Sequence, residues 1–198
     1  NMENPKIHVL LYQAVHRQYE IGNEKLYLGE KYDTATLFNL TRRMFEICER
    51  FDSIDARPDR KGRVRPEYRE NHAEELDIIR RNLYLGGRFC MNRNQFARAY
   101  EFFDAYLDCA RQPLFTDYHY AERDTLMKHV AYWAGYAGLK EAQPQHILKY
   151  AALALSDTAT AAYTLQYMAE AYNMLGNASL YLQTIRRGFS EYMDNVYF

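Results

Sequence analysis

Apolar residues recur at helical spacing along nearly the whole chain, and this periodicity constrains the fold more than any other feature. The first such series comprises Leu10, Leu11, Ala14, Val15, Tyr19 and Gly22. A second series, from Leu76 to Gly87, is interrupted by one polar residue, Arg80. No stretch alternates cleanly between apolar and polar residues, as half-buried strands do. The sequence therefore predicts an all-α fold.

The periodic segments are joined by short polar links. They predict helices at residues 6–28, 34–51, 67–91, 95–111, 118–138, 144–155, 160–175 and 178–193. Because most links are only a few residues long, consecutive helices should pack as antiparallel hairpins. Pro66 and Pro144 suit first helical turns, and Gly176 suits a helix end. Residues 52–66 form the one long loop that we expect.

Small and aromatic residues repeat at fixed offsets within these hairpins. The clearest set is Gly87, Phe96, Ala99 and Phe103. A second set is Ala169, Tyr172, Gly176, Ala178 and Ile185, and weaker sets are Gly135, Ile147, Ala151 and Ala154, and Gly22, Gly29, Tyr32 and Ala35. The step from Gly135 to Ala169 is 34 residues, whereas that from Gly87 to Gly135 is 48.

This pattern resembles that of tetratricopeptide repeat (TPR) proteins, whose repeat is about 34 residues long. The resemblance implies a right-handed α–α superhelix, a TPR-like solenoid of about four degenerate hairpins in one domain spanning 1–198. The hairpins would lie near residues 6–51, 67–111, 118–155 and 160–193. The longer step predicts an insertion around 114–124. An irregular helical bundle is the alternative, because small and aromatic residues recur at similar spacing there.

The resemblance also implies a binding face, since the first helix of each TPR hairpin lines a concave surface that binds polypeptides without a cofactor. The family's groove offsets fall here on Tyr19, Arg81, Tyr84, Arg88, Asn92, His129, Tyr132, Tyr136, Lys140, Tyr163, Gln166 and Asn173. Tyrosine and arginine are enriched in binding hot spots, and the cations favour a protein or peptide of acidic character. The alternative is that these tyrosines pack between helices with their hydroxyls at the rim.

Motifs that mark catalysis or phosphate binding are missing from the sequence. His72, Glu74 and Glu75 lack the second histidine of a zinc-binding helix, and we expect them in a solvated first turn. The sequence therefore predicts a non-catalytic interaction scaffold with no cofactor and no metal. The alternative is a small-ligand-binding or enzymatic helical domain, marked by a deep apolar pocket with perturbed titratable groups on the same face.

Charge and hydropathy argue against two further classes of protein. The chain has 25 Lys+Arg and 26 Asp+Glu, without the basic excess that is typical of nucleic-acid-binding domains. A basic run between Arg57 and Arg69 predicts a solvated loop, and a regulator that touches nucleic acid through this loop is a weaker third hypothesis. No apolar run is long enough to insert in a membrane.

Three cysteines and the two ends of the chain bear on its setting. Cys48, Cys90 and Cys109 have no close spacing, which predicts buried free thiols and slightly favours the cytoplasm. Asn1 precedes Met2, so we expect a fragment of a longer, bacterial-type assembly protein, regulator or sensor, periplasmic or envelope-associated if a leader was removed. Residues 192–198 are aromatic where a solenoid needs a polar cap, which predicts further helices or self-association there.

Overall fold

The computed structural model describes residues 5–198, so Asn1 and Met2 lie outside the described residues. Its α-helices are α1 (Pro5–Tyr27), α2 (Thr34–Asp55), α3 (Arg69–Ile79), α4 (Arg81–Met91), α5 (Phe96–Asp108), α6 (Tyr120–Arg123), α7 (Leu126–Lys140), α8 (Pro144–Lys149), α9 (Ala151–Ala154), α10 (Ala161–Met174) and α11 (Ala178–Glu191). Two 3₁₀ segments lie at Cys109–Arg111 and Pro113–Tyr118. No strand occurs in residues 5–198, and the predicted all-α class is confirmed.

The chain divides into two compact units. Of the described residues, the first unit joins 5–86 to Asp108–Tyr120, and the second joins Gly87–Leu107 to Ala121–Phe198. The division falls within α4, so this helix contributes residues to both units.

In the first unit, α1 packs against α2 over their apolar faces. The Asp33 side chain accepts hydrogen bonds from the backbone N–H groups of Ala35 and Thr36, which caps α2 at its first turn. Gly22 lets α1 approach the ring of Tyr32, because a Cβ at residue 22 would lie 2.5 Å from that ring. A glycine is therefore needed at this crossing.

In the second unit, α7 pairs with α8 and α10 pairs with α11, each across a three-residue link. Helix α10 also packs against both α7 and α8, so the two hairpins share one core. Gly176 ends α10 at a φ of 67°, as the sequence predicts, and the Asn177 side chain then caps α11. Gly87 is overlaid by the buried ring of Phe103, so the close approach expected for this pair is present.

The predicted helix 67–91 is wrong in one respect, because it is interrupted at Arg80. The Arg80 N–H bonds the carbonyl of Asp77, and the Leu83 N–H bonds the carbonyl of Arg80, so the α-helical ladder tightens there. Arg80 is only 5% exposed, and its guanidinium carbon lies 3.7 Å from the centre of the Tyr120 ring. The helix is therefore interrupted at the residue whose charged side chain is buried in the first unit.

The predicted helix 118–138 begins later, at Leu126. Residues 113–123 instead form a 3₁₀ segment and the one-turn helix α6, separated by His119 at a φ of 51°. This is the region where the repeat spacing predicted an insertion. Pro144 opens α8 as predicted, whereas Pro66 precedes the first turn of α3 by three residues.

The basic run lies mostly in the loop between α2 and α3, and two of its cations are paired within the first unit. Arg63 makes an ion pair with Asp59 at 2.7 Å. Arg69 reaches the buried carboxylate of Asp52 through two hydrogen bonds of 2.7 and 2.8 Å. Carboxylates of the first unit therefore neutralise part of the positive charge of this run. The three cysteines are buried, and none of them forms a disulfide bond within residues 5–198, as the sequence predicts.

Candidate functional site

Helix α7 carries a row of aromatic side chains along one side. His129, Tyr132, Trp133 and Tyr136 follow the i, i+3, i+4, i+7 spacing that places residues on one helical face. The Trp133 indole N–H donates to Nε2 of His129 at 2.8 Å. Since the indole nitrogen can only donate, Nε2 of His129 is the acceptor of this bond. The bond fixes the orientation of both rings.

Tyr167 of α10 joins this row to the next hairpin. Its hydroxyl lies 3.0 Å from that of Tyr132, and the two rings stack with centroids 5.7 Å apart. Its ring also contacts Tyr136, at a centroid distance of 6.0 Å. Burial and the Tyr132 hydroxyl raise the pKa of Tyr167 well above its usual value. The Tyr167 hydroxyl therefore stays protonated near neutral pH, and its hydrogen bond with the Tyr132 hydroxyl holds the two rings in place.

The outer end of the row is cationic and partly exposed. The edge of Phe96 meets Tyr136, with centroids 6.4 Å apart, and Trp133 meets Tyr136 in a T-shaped contact at 5.8 Å. Lys140 Nζ lies 5.2 Å from the centre of the Tyr136 ring, at cation–π distance. A positive charge therefore borders an aromatic surface.

On α10, the exposed side continues the same surface. Tyr163 is 52% exposed and lies one turn before Tyr167. Gln166 and Glu170 follow on the next turns, and Asn173 is exposed near the end of the helix. We call the exposed or partly exposed side chains of His129, Tyr132, Trp133, Tyr136, Lys140, Tyr163, Gln166 and Glu170 the aromatic face.

In the part of the chain that the structure describes, the crevice beneath this face is too small for a ligand. The crevice below the Tyr132–Tyr167 pair is lined by Ala131, Gly135 and Ile147, among other small and apolar groups, and has no room for a water molecule. The rings rest directly on the core formed by Ile147, Tyr167 and Ala171. The arrangement offers a contact surface of aromatic rings bordered by the polar groups of Lys140, Gln166 and Glu170.

The other residues predicted to line a groove lie elsewhere. Tyr19 and Tyr84 are each 7% exposed, and the Asn82 amide donates to the Tyr19 hydroxyl at 3.0 Å. These two tyrosines therefore pack in the first unit, which is the alternative that the sequence left open. Arg81 is exposed in the first unit, and Arg88 and Asn92 are exposed in the second. The predicted residues Tyr132 and Tyr136 on α7 contact α10 through Tyr167, next to the predicted residues Tyr163 and Gln166.

Sequence reasoning missed three members or neighbours of the face: Trp133, Tyr167 and Phe96. Trp133 lies at helical spacing from His129 and Tyr136, and Tyr167 lies four residues after Tyr163, so periodicity alone could have found both. Phe96 lies on another helix, α5, and its contact with Tyr136 has no local signal.

His72 is not in a solvated turn, which corrects the sequence-based expectation. It is 7% exposed in the first unit, where its ring contacts those of Tyr12, Phe51 and Tyr68. The Tyr12 hydroxyl donates to the Glu75 carboxylate beside it. Burial lowers the pKa of His72, so the neutral ring is favoured and packs as an aromatic residue.

A second polar cluster in the first unit surrounds Arg80. The Tyr120 hydroxyl donates to Asp77 at 2.5 Å while the Arg80 guanidinium covers the Tyr120 ring. Nearby, burial and the charge of Asp108 raise the pKa of Glu49 to about 8. These groups are packed among the helices rather than in a cleft, so we assign them to stability.

Within residues 5–198, no helix is both long and apolar enough to cross a membrane. The same residues contain no group of three or more His, Cys, Asp and Glu side chains placed to hold a metal ion. Comparison with protein-family models, curated proteins and solved structures finds no match to this chain.

Proposed function

We propose that the chain is a non-catalytic interaction module that binds a peptide or protein segment on the aromatic face. The observation that carries the proposal is the set of packed aromatic rings on α7 and α10, whose orientations are held by the Trp133–His129 and Tyr132–Tyr167 hydrogen bonds. Pre-ordered tyrosine and tryptophan side chains give contact area at little cost in conformational entropy. Lys140 at one border favours a segment with an acidic residue there.

We further propose that the hairpins stack as a TPR-like superhelix. The packing of α10 against α7 and α8 supports this arrangement, because each hairpin of a solenoid contacts the next one along the chain. The fit of Gly87 against Phe103 supports the register that the repeat pattern indicates.

The alternative function, a small-ligand or enzymatic domain, receives less support from this face. A ligand pocket needs a concave volume of at least a few hundred Å³ with converging polar groups. The crevice under the tyrosine pair has no space of that kind.

Selection from a random peptide library tests the proposed function with no assumption about the sequence of the partner. Selection on the wild type should yield peptides that fail to bind the double variant Tyr136→Ala/Tyr163→Ala. The matched control is Tyr27→Ala, which removes an exposed tyrosine from α1 in the first unit. Selected peptides should bind this control as well as they bind the wild type. Peptides that bind all three proteins equally would overturn the assignment of the face.

A further inference from the structure

Residues 192–198, which we call the strap, fold back onto α10 and α11. The Tyr192 N–H bonds the Gly188 carbonyl at 2.8 Å, the Asn195 N–H bonds the Tyr192 carbonyl at 2.9 Å, and the Phe198 N–H bonds the Asn195 carbonyl at 3.2 Å. The strap is therefore a series of tight turns. Neither expectation for this aromatic end, further helices or self-association, anticipated a fold-back.

Two hydrogen-bonding side chains of the strap contact the aromatic face. The Tyr197 hydroxyl donates to Oε1 of Glu170 at 2.7 Å. The Gln166 amide donates to Oδ1 of Asn195 at 3.2 Å, and the same oxygen accepts the Tyr197 N–H at 3.1 Å. Asn195 thus holds the turn together and attaches it to α10.

An aromatic ring of the strap fills a niche on α11. The ring of Phe198 lies against Gly188 so closely that a Cβ at residue 188 would overlap it. The rings of Tyr197 and Phe198 meet edge to face with centroids 5.2 Å apart. The niche exists because residue 188 has no side chain, and Gly188 itself is buried.

We infer that the strap is an internal occupant of the α10 end of the aromatic face, and that the partner segment carries the same chemistry: a tyrosine hydroxyl for Glu170 and an aromatic ring for the niche at Gly188. This inference rests on the proposed function. It names the class of partner, an aromatic polypeptide segment, and makes its binding compete with the strap.

The strap is held in place by few side chains. Its attachment depends on Asn195, Tyr197 and Phe198, whereas the side chains of Met193 and Val196 point into solvent. A tethered segment acts at an effective concentration on the order of millimolar, so it excludes a weak free competitor although its own contacts are few. Tyr163, one turn before Gln166, stays exposed for a partner to engage first.

Amide hydrogen exchange tests whether the strap is docked. The double variant Tyr197→Phe/Phe198→Ala removes the hydroxyl and the ring while leaving every residue of α10 and α11 intact. The amides of Asn195, Tyr197 and Phe198 should be protected in the wild type and should exchange at least tenfold faster in the variant. Equal exchange in the two proteins would overturn the inference.

A binding assay tests whether the strap competes. The probe is a synthetic peptide with the sequence of residues 192–198, titrated into the ¹⁵N-labelled full chain so that millimolar affinities are measurable. The probe should bind Tyr197→Phe/Phe198→Ala at least tenfold more tightly than the wild type. An affinity within twofold of the wild type, or no binding to either protein, would overturn the inference.

The control is Gly188→Ala, which closes the niche to the strap and the probe alike. Its strap amides should exchange rapidly, as in the double variant, but its affinity for the probe should not rise. Tight probe binding to Gly188→Ala would show that the niche is not part of the site. Light scattering adds a separate outcome: a wild-type dimer that dissociates in the double variant would place the strap on a second copy and overturn the intramolecular assignment.

These results are independent of the library selection. One outcome is that the probe competes with the strap while the selected peptides bind Tyr136→Ala/Tyr163→Ala as well as they bind the wild type. In that case the strap inference stands for α10 and the function proposed for the whole face fails. If selected peptides need both tyrosines but the probe gains no affinity in the strap variant, the proposed function stands and this inference fails.

Discussion

Gly135 and Gly138 lie one turn apart on α7, yet they meet different surroundings. A Cβ at residue 138 would lie 2.9 Å from the backbone nitrogen of Ile147, whereas a Cβ at residue 135 would meet atoms no closer than 3.9 Å. We predict that Gly138→Ala lowers the free energy of unfolding by about 2 kcal/mol, because backbone atoms of α8 must shift. Gly135→Ala should leave it unchanged or raise it by up to about 1 kcal/mol through helix propensity.

Urea unfolding of the two variants checks this contrast. Equal destabilisation by both would contradict the packing of α7 against α8 described above. The repeat pattern singled out Gly135. The glycine that the contact between α7 and α8 requires is instead Gly138, one turn further along the helix.

Ala142 occupies a left-handed conformation, with a φ of 51°. Its N–H closes the end of α7 by bonding the carbonyl of Leu139 at 3.1 Å. A Cβ is unfavourable in this conformation, so Ala142→Gly should raise the free energy of unfolding by about 1 kcal/mol. The control Ala97→Gly, at an exposed position in α5, should lower it by about the same amount. Thermal unfolding distinguishes the two signs, and a destabilised Ala142→Gly protein would contradict the assigned backbone.

Glu49 should make the stability of the chain depend on pH. The pKa of its carboxyl is raised to about 8, mainly by burial and to a smaller extent by the negative charges of Asp108 and Glu46. Because the folded pKa is above the unfolded value, the folded state binds the extra proton between about pH 4.5 and pH 8. The free energy of unfolding therefore falls as pH rises through that range, and Glu49→Gln should remove the fall.

The expected size of this effect is on the order of 3 kcal/mol between pH 5 and pH 8. Urea unfolding of the wild type and Glu49→Gln at both values measures it. The control is Glu24→Gln, which changes an exposed glutamate of α1 and should follow the wild type. A difference between Glu49→Gln and the wild type that does not grow with pH would be evidence against a buried carboxyl at this site.

At the scale of the elements, periodicity predicted the long helices well. Those helices bury a continuous apolar stripe, and α1, α2, α7, α10 and α11 lie within the segments expected or close to them. It failed at Arg80, between residues 109 and 125, and at Tyr150, where the helix predicted at 144–155 is divided into α8 and α9. At Arg80 the backbone depends on a distant partner, Tyr120, which leaves no periodic signal in the sequence. The one-turn helix α6 is too short to show a period at all.

The contact between α7 and α10 depends on the paired hydroxyls of Tyr132 and Tyr167. Tyr132→Phe should lower the free energy of unfolding by about 1 kcal/mol, because the partly buried Tyr167 hydroxyl loses its partner. Tyr163→Phe, one turn away at an exposed site, should change it by less than about 0.5 kcal/mol. Denaturation followed by the emission of Trp133 compares the two. Equal effects would mean that the hydroxyl pair does not join these helices.

For the whole molecule, the offsets of the TPR family predicted which side of each first helix would line a groove, but they could not predict which helices cover that side. On α7 and α10 the chosen side is partly exposed, and its predicted residues come together in the second unit. Tyr19 and Tyr84 are instead covered in the first unit. Exposure depends on the neighbouring helices, and a repeat pattern with unequal steps cannot supply that information. The fold class was therefore more predictable than the members of the site.

The most direct test of the central claim is a fluorescence titration of a library-selected peptide, because Trp133 is the only tryptophan in the chain and lies on the aromatic face. The emission of the wild type should shift and saturate with added peptide. Tyr136→Ala/Tyr163→Ala should raise the Kd at least tenfold, a loss of about 1.4 kcal/mol or more. A Kd that is the same in the wild type and in this double variant would contradict the claim that this face binds a polypeptide.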